Sequence, residues 1–364
     1  MHEELPGGSL APSRWAIALL AATLGLLLTI ATGNAVVDPT AQLGWFSTFQ
    51  PVSEGPRDRA DKVRLALATP APDLVVLGSS RAKKLDPARV DPSAAHPLNA
   101  AMVGGDLFEA RVMAALLAER DDPFPQLVVT VDVEQFRDGS LQGSGLLDVP
   151  AARTVARREA AGEDGTITGD ASRLEHLLLS WQVTRASLVS VRARVRGATG
   201  DGAPADTRST GGFTAQGLLV SDSRWFEPGA AERFARRTPG RVAASIEDYR
   251  ATYEDVGARL DPDSVDDLRA LVRIVHDAGG PAPLLVLTPT TEAFADALRE
   301  HGRVVRRRAV LQLLRDVARH GQARVIDCST CIDDADTNWI DAVHPSPLGA
   351  QQWAARIAAA AHHD

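Results

Sequence analysis

The chain is poor in lysine and in cysteine, and it carries no surplus of positive charge. Lysine occurs only at Lys62, Lys83 and Lys84, so nearly all the positive charge is arginine. With the abundant alanine this points to a GC-rich bacterial genome, which concerns origin rather than mechanism. The formal net charge of −8 and the lack of a basic stripe in the main domain argue against a nucleic-acid partner. Two cysteines, in Cys328-Ser329-Thr330-Cys331, cannot complete a tetrahedral structural zinc site without other ligands. There is no internal repeat and no low-complexity tract that alters the plan of a folded chain. What remains is ordinary for a globular protein: 45% hydrophobic and 24% charged residues over 364 positions, enough for one sizeable core or one domain with a large insertion.

There is one long apolar run. After a polar stretch through Ser13 and a single Arg14, residues 15–32 read WAIALLAATLGLLLTIAT, 18 positions without a charge. At ~1.5 Å rise per residue that spans a bilayer with slight thinning or snorkelling at the ends. A buried core helix is a poor alternative, because the run is apolar on every face. Arg14 before it and Asp38 after it give a charge bias that places residues 1–14 in the cytoplasm and makes 15–32 a signal anchor. A cleaved signal peptide is the competing reading, with Gly33-Asn34-Ala35 as a partial small-x-small site. Either way the main domain lies outside the cytoplasm, and as an anchor the run would hold it at the bacterial cell membrane by a single pass. In that compartment Cys328 and Cys331 are expected to form a structural disulfide. Residues 33–72 read as a connector punctuated by Pro39, Pro51, Pro56 and Pro70, with a short helical piece at about 59–68. Residues 73–364 form the extracytoplasmic domain.

That domain begins with Leu74-Val75-Val76-Leu77-Gly78-Ser79-Ser80-Arg81, an apolar run too short for a helix that ends in a glycine and two serines. A serine at the tip of a strand-to-helix turn points beyond the sheet. A second short strand, from Pro97, ends in Gly104-Gly105; Asp106 is placed to cap a helix over 107–120; a third strand, 127–131, closes in Asp132. Strand, helix, strand at this spacing predicts right-handed βαβ units: an α/β fold, a three-layer α/β/α sandwich with a mainly parallel sheet. Sites in such sheets form at the carboxyl ends of strands, where Ser80, Gly104 and Asp132 fall. Residues 137–245 interrupt the rhythm as an insertion. Within it a helix over 174–196 carries an arginine-rich face, read either as a solvated surface or as a lid or a surface for acidic glycan or anionic lipid. Trp225 and Phe226 read as core or as a carbohydrate platform. The α/β pattern returns with a capping box at Ser264 and a helix to Asp277. A strand over 284–287, a helix over 304–320, a strand over 324–327 and a final helix over 350–361 follow.

After the last strand comes Asp341-Ala342-Val343-His344-Pro345. Three-residue spacing lets the carboxylate accept the proton of one imidazole nitrogen and leaves the other facing a serine hydroxyl. Alone, Asp-x-x-His is also a metal pair or a surface turn. Its position, after the last strand of a domain whose first strand ends in Gly78-Ser79-Ser80, singles out Ser80, Asp341 and His344.

These blocks resemble the SGNH hydrolase superfamily, also called GDSL esterases. The family's Gly-Asp-Ser block corresponds to Gly78-Ser79-Ser80, its second block to Asn99 and Gly104, and its final Asp-x-x-His-Pro to Asp341, His344 and Pro345. The resemblance covers about two thirds of the chain and not the insertion. It implies Ser80 as nucleophile, His344 as base, Asp341 as its orienting acid, the Ser80 and Gly104 N–H groups as oxyanion donors, and Asn99, Gly105 and Asp132 lining the site. The third block departs: relatives often carry Gly-x-Asn-Asp, with an oxyanion-donating asparagine, where this chain has Asp132, which cannot donate when ionised. The serine in place of aspartate and the single membrane segment look like the envelope acyl-transfer members. These include the D-alanyl-transfer proteins of teichoic acid synthesis and the alginate O-acetylation proteins, which work beside a multi-pass membrane acyltransferase. The implied activity is that of a serine esterase or O-acyltransferase on acyl esters of an envelope polysaccharide, with no metal and no cofactor. A non-catalytic glycan-binding or assembly module on the same fold is the other reading.

Overall fold

The computed structural model describes residues 14–37, 54–136, 146–162, 240–253, 259–319 and 322–361, with a few residues between 178 and 218. It divides into two compact units, Met1–Ser53 with Thr168–Ala203 and Glu54–Ile167 with Pro204–Asp364.

The first unit contains the helix Arg14–Val37. Its stretch Ala16–Val37 contains an 18-residue window with a mean hydropathy of 2.1 and no buried residue, long and apolar enough to cross a membrane or to be a signal sequence. The helix runs five residues past the expected end at Thr32. Near that end Asn34 donates to the Leu178 carbonyl at 2.8 Å and accepts from Ser187 Oγ at 2.8 Å. Of the expected 174–196 helix only four pairs of residues between 178 and 192 are described, all helical. Trp225 and Phe226 lie outside the described residues.

The second unit is built on five parallel strands: β1 (Leu74–Leu77), β2 (Pro97–Asn99), β3 (Gln126–Val131), β4 (Leu284–Leu287) and β5 (Arg324–Asp327), in the order β2-β1-β3-β4-β5. β1 and β4 read as continuous apolar runs, buried at every position, because helices cover both faces of the sheet there. Side chains alternate across the sheet. Val75, Leu77, Val129, Val131 and Leu285 join one core with the helices Leu107–Ala118 and Pro262–Asp277. Leu74, Val76, Val128 and Val286 join the other with Trp339, Trp353 and Ile357. Each fully buried Val or Leu contributes roughly 1.5–3 kcal/mol. The chain leaves β1 outward to β2 and then crosses back to β3, so β1 and β3 flank the point where the connections diverge and a crevice opens at the carboxyl ends.

Several local expectations are adjusted by packing. Asp106 does cap its helix, accepting from Glu109 N at 2.8 Å. The Pro262–Asp277 helix, however, is capped by Asp261 and not by Ser264: Asp261 Oδ2 accepts from Ser264 N at 3.0 Å and from Ser264 Oγ at 2.7 Å. Pro262 at the first helical position, where no N–H is needed, moves the start three residues earlier than a serine cap would allow. The final helix likewise begins at Pro347 rather than Ala350. The helical piece expected in the connector extends over Glu54–Ala66 and is built into the core through Val63 and Ala66. The helix Pro150–Gly162, inside the expected insertion, buries Ala152, Val155 and Ala156 in that same core.

Candidate active site

The site begins where β1 stops. Gly78 has φ +150, and a side chain there would collide with Thr130 on β3, so the position admits only glycine. Ser79 follows as the N-cap of a 3-10 turn, Ser80–Lys84. Its Oγ accepts from Arg81 N at 3.2 Å and donates to Asp132 Oδ2 at 2.5 Å. Ser79 is thereby turned inward, and Ser80 is the serine left at the tip.

Ser80 Oγ lies 2.8 Å from His344 Nε2. His344 Nδ1 in turn lies 2.9 Å from Asp341 Oδ2 and 3.0 Å from Oδ1. The loop that carries both is closed by a bridge between Trp339 and Pro345 and by Ile340 N donating to His344 O at 2.8 Å. Trp339 is fully buried and anchors the base of this loop. Asp341 Oδ1 also accepts from the backbone N–H of Val343 at 3.0 Å and of His344 at 2.8 Å. Burial alone would raise the Asp341 carboxyl; the His344 contact and these N–H donors outweigh it and hold the group below the ordinary carboxylate value. An ionised Asp341 facing Nδ1 puts the imidazole proton on Nδ1 and leaves Nε2 as the acceptor toward Ser80. Next to the loop, Cys328 and Cys331 form a disulfide, the expected pair.

The Asn99–Gly105 segment flanks the serine turn. Asn99 is fully buried and does not line the opening. Its amide donates to the carbonyls of Ala82 at 2.8 Å and Leu85 at 2.7 Å, and its Oδ1 accepts from Ala101 N at 2.9 Å, so it braces the turn that carries Ser80. Met102 N donates to Gly78 O at 2.9 Å. Gly105 sits so close that a Cβ there would come 2.6 Å from Gly78 O. Gly104 is exposed, with φ +62 and open space on its Cβ side. Among the described residues neither Ser80 N nor Gly104 N donates to a backbone carbonyl. Both amides of the flanking Val103 are held from the Glu54–Ala66 helix: Val103 N donates to Asp58 Oδ2 at 3.0 Å, and Arg59 Nη2 donates to Val103 O at 3.1 Å. Asp58 also pairs with Lys83 of the serine turn at 3.2 Å, so one buried carboxylate ties the two loops together.

Beneath the serine turn lies a buried charge network. Arg81 is 3.7 Å from Asp132 and 2.9 Å from Glu134, and Glu134 accepts from Arg303 Nε at 3.0 Å. Burial would raise the Glu134 carboxyl, but the two guanidiniums pull it down to about 2. Asp132 thus acts behind Ser79 and beside Arg81, fixing the turn from below. Among the described residues no group of three or more His, Cys, Asp and Glu is arranged to hold a metal ion.

Four contributors were invisible to sequence reasoning. Asp58, Arg81 and Glu134 are ordinary charged residues without a motif. Tyr249, on the helix Arg241–Tyr253, places its hydroxyl 3.3 Å from Asp341 Oδ2 and 3.2 Å from His344 Nδ1. The chain has only two tyrosines, Tyr249 and Tyr253, and both lie in this helix, a clustering that offered the one available signal. No protein-family model matches the chain, and no curated protein is significantly similar to it.

Proposed function

We propose that this protein is an extracytoplasmic serine esterase or O-acyltransferase of the SGNH type, acting on acyl esters of a cell-envelope glycan. The observation that carries the reading is the contact of Ser80 Oγ with His344 Nε2 at 2.8 Å, with Asp341 behind the imidazole at 2.9 Å. Nucleophile, base and orienting acid are in the order that acyl transfer requires. The N-terminal helix would hold the domain at the outer face of the membrane, beside a multi-pass membrane acyltransferase as donor or partner. The disulfide is in keeping with that compartment.

In the proposed reaction, His344 Nε2 takes the Ser80 Oγ proton as Oγ attacks the ester carbonyl carbon. The negative charge that develops on the carbonyl oxygen is stabilised by the N–H groups of Ser80 and Gly104, which have no backbone acceptor of their own among the described residues. Collapse of the tetrahedral species breaks the ester C–O bond, and His344 returns the proton to the departing alcohol. The acyl-Ser80 ester then passes its acyl group to water, giving an esterase, or to a sugar hydroxyl, giving a transferase, by the same steps in reverse. Arg81 and Asp132 hold the turn through charges that are internally paired.

One observation favours a non-catalytic glycan-binding module: Asp132 stands where relatives carry an amide donor. Its carboxylate is engaged by Ser79 Oγ at 2.5 Å, so the exchange of Asp for Ser at 79 and of Asn for Asp at 132 forms a matched pair, and the catalytic reading accommodates both. Treatment of the full chain in detergent with a fluorophosphonate or an aryl acetate decides between the two. The catalytic reading expects labelling and turnover that disappear in Ser80→Ala. Activity that persists in that variant refutes Ser80 as the nucleophile.

A further inference from the structure

The Arg241–Tyr253 helix is attached to the acid–histidine loop at two points one turn apart. Ser245 Oγ accepts from Ala342 N at 2.8 Å and donates to Val242 O at 2.8 Å. Four residues on, and therefore on the same helix face, Tyr249 reaches Asp341 and His344. Ile246 and Tyr249 pack against the small cluster formed by Phe294, Leu298, Ala342 and Val343.

The two oxygens of Asp341 are held in different ways. Oδ1 accepts from two backbone N–H groups of its own loop. Among the described residues Oδ2 has only His344 Nδ1 and the Tyr249 hydroxyl as donors. With the imidazole proton already on Nδ1, the phenolic proton has the carboxylate as its acceptor, and the phenolic oxygen faces the Nδ1–H at 3.2 Å. The ring is set by packing: it meets Phe294 edge-on, at 6.1 Å between centroids and 77° between planes. Phe294 is fully buried and lies under the Arg303 guanidinium at 5.2 Å.

We propose that Tyr249 is a positioning residue for the Asp341–His344 pair. Its O–H donates to Asp341 Oδ2 and fixes the plane of the carboxylate, and with it the direction in which His344 presents Nε2 to Ser80. This rests on the reading of Ser80 as nucleophile. Among the described residues the groups that face the imidazole are Ser80 from the serine turn, Asp341 from its own loop and Tyr249 from the helix, while Arg303 stands over Phe294.

The test is the rate of fluorophosphonate labelling of the full chain in detergent, followed between about pH 5 and 9, in the parent protein, Tyr249→Phe and Ser80→Ala. Phenylalanine keeps the contact with Phe294 and removes only the hydroxyl. Loss of one hydrogen bond to a charged group slows labelling by about tenfold. Because the carboxylate becomes more basic without its hydroxyl donor, the acid limb of the labelling profile moves upward. A role in packing alone would lower the plateau without moving the limb. A Tyr249→Phe profile identical to the parent, or lowered with its limb in place, overturns the proposal while leaving Ser80 as nucleophile. A parent protein that is not labelled, or a Ser80→Ala variant labelled at the parent rate, removes the serine reading and this inference with it.

Discussion

Adding one methyl group at Gly105 is the sharpest test of how the two loops around Ser80 are held. A Cβ at Gly105 would stand 2.6 Å from Gly78 O and 3.3 Å from both Gly78 C and Met102 O. All three neighbours are backbone, so none can swing aside as a flexible side chain would. To reach even 3.0 Å the Gly104–Gly105 loop and the end of β1 must separate by about 0.4 Å. Overpacking of this kind costs roughly 1–3 kcal/mol of stability. The larger effect falls on chemistry, because Gly104 N–H is a proposed oxyanion donor and Gly78 precedes the serine turn. Removal of one such donor costs roughly 10²–10³ in rate, and a misplacement of about 1 Å costs about 10². Gly105→Ala is therefore expected to slow aryl acetate turnover by about 10²-fold, with most of the loss in kcat. Gly104→Ala is the internal control. It meets nothing within 4 Å but must adopt φ +62, a strain of roughly 1–2 kcal/mol that lowers Tm without closing the gap to Gly78. The measurements are thermal unfolding and steady-state kinetics on both variants. A Gly105→Ala protein with parental kcat would refute the close approach of the two loops as a requirement for the reaction.

Three further outcomes follow from the same contacts. Ser79→Ala leaves Asp132 Oδ2 without its hydroxyl donor and should cost roughly 1–3 kcal/mol of stability; labelling at Ser80 should nonetheless continue, and its complete loss would show that the two serines were assigned the wrong way round. Stability should peak at moderately acidic pH. Burial raises the carboxyls of Glu109 and Asp267 to about 7, so the stability they contribute is full below the ordinary carboxylate range and is lost as pH rises through about 7. Glu134, held at about 2, contributes above that range and is lost as pH falls toward 2. Unfolding followed against pH should then show a decline between about pH 4.5 and about pH 7 that Glu109→Gln reduces, and an unchanged decline across that window in the variant would contradict the assignment. Reduction of Cys328–Cys331 opens a very short loop, worth about 2 kcal/mol in the chain-entropy view, and should lower Tm and slow acylation by loosening the segment between β5 and Asp341; parental rates with both thiols alkylated would exclude that bracing role.

What the sequence determined by itself was the set of elements and the identity of the reactive groups that local chemistry marks. The apolar run at 284–287 becomes β4 at those bounds, because a strand buried on both faces leaves an unbroken signature, while the strand expected at 324–327 becomes β5 with a charged residue at each end and only partial burial. Gly78-Ser79-Ser80 and Asp341-x-x-His344 could be named because a strand-end turn and a three-residue spacing are local features. Tertiary structure decided everything that depends on which loops meet. Ser80 and His344 are 264 positions apart, and their 2.8 Å contact exists only because parallel strands deliver both loops to the carboxyl edge of one sheet. Asn99, expected to line the site, braces the serine turn instead, since a buried amide must satisfy its donors and the carbonyls of Ala82 and Leu85 lay within reach. Asp58, Arg81 and Glu134 carry no periodic or motif signal, and their partners come from distant segments. Tyr249 reaches Asp341 from 92 positions away. Pattern in a sequence records which face of an element is apolar; it does not record the direction of a single hydroxyl, which packing against Phe294 fixes only after the chain has folded.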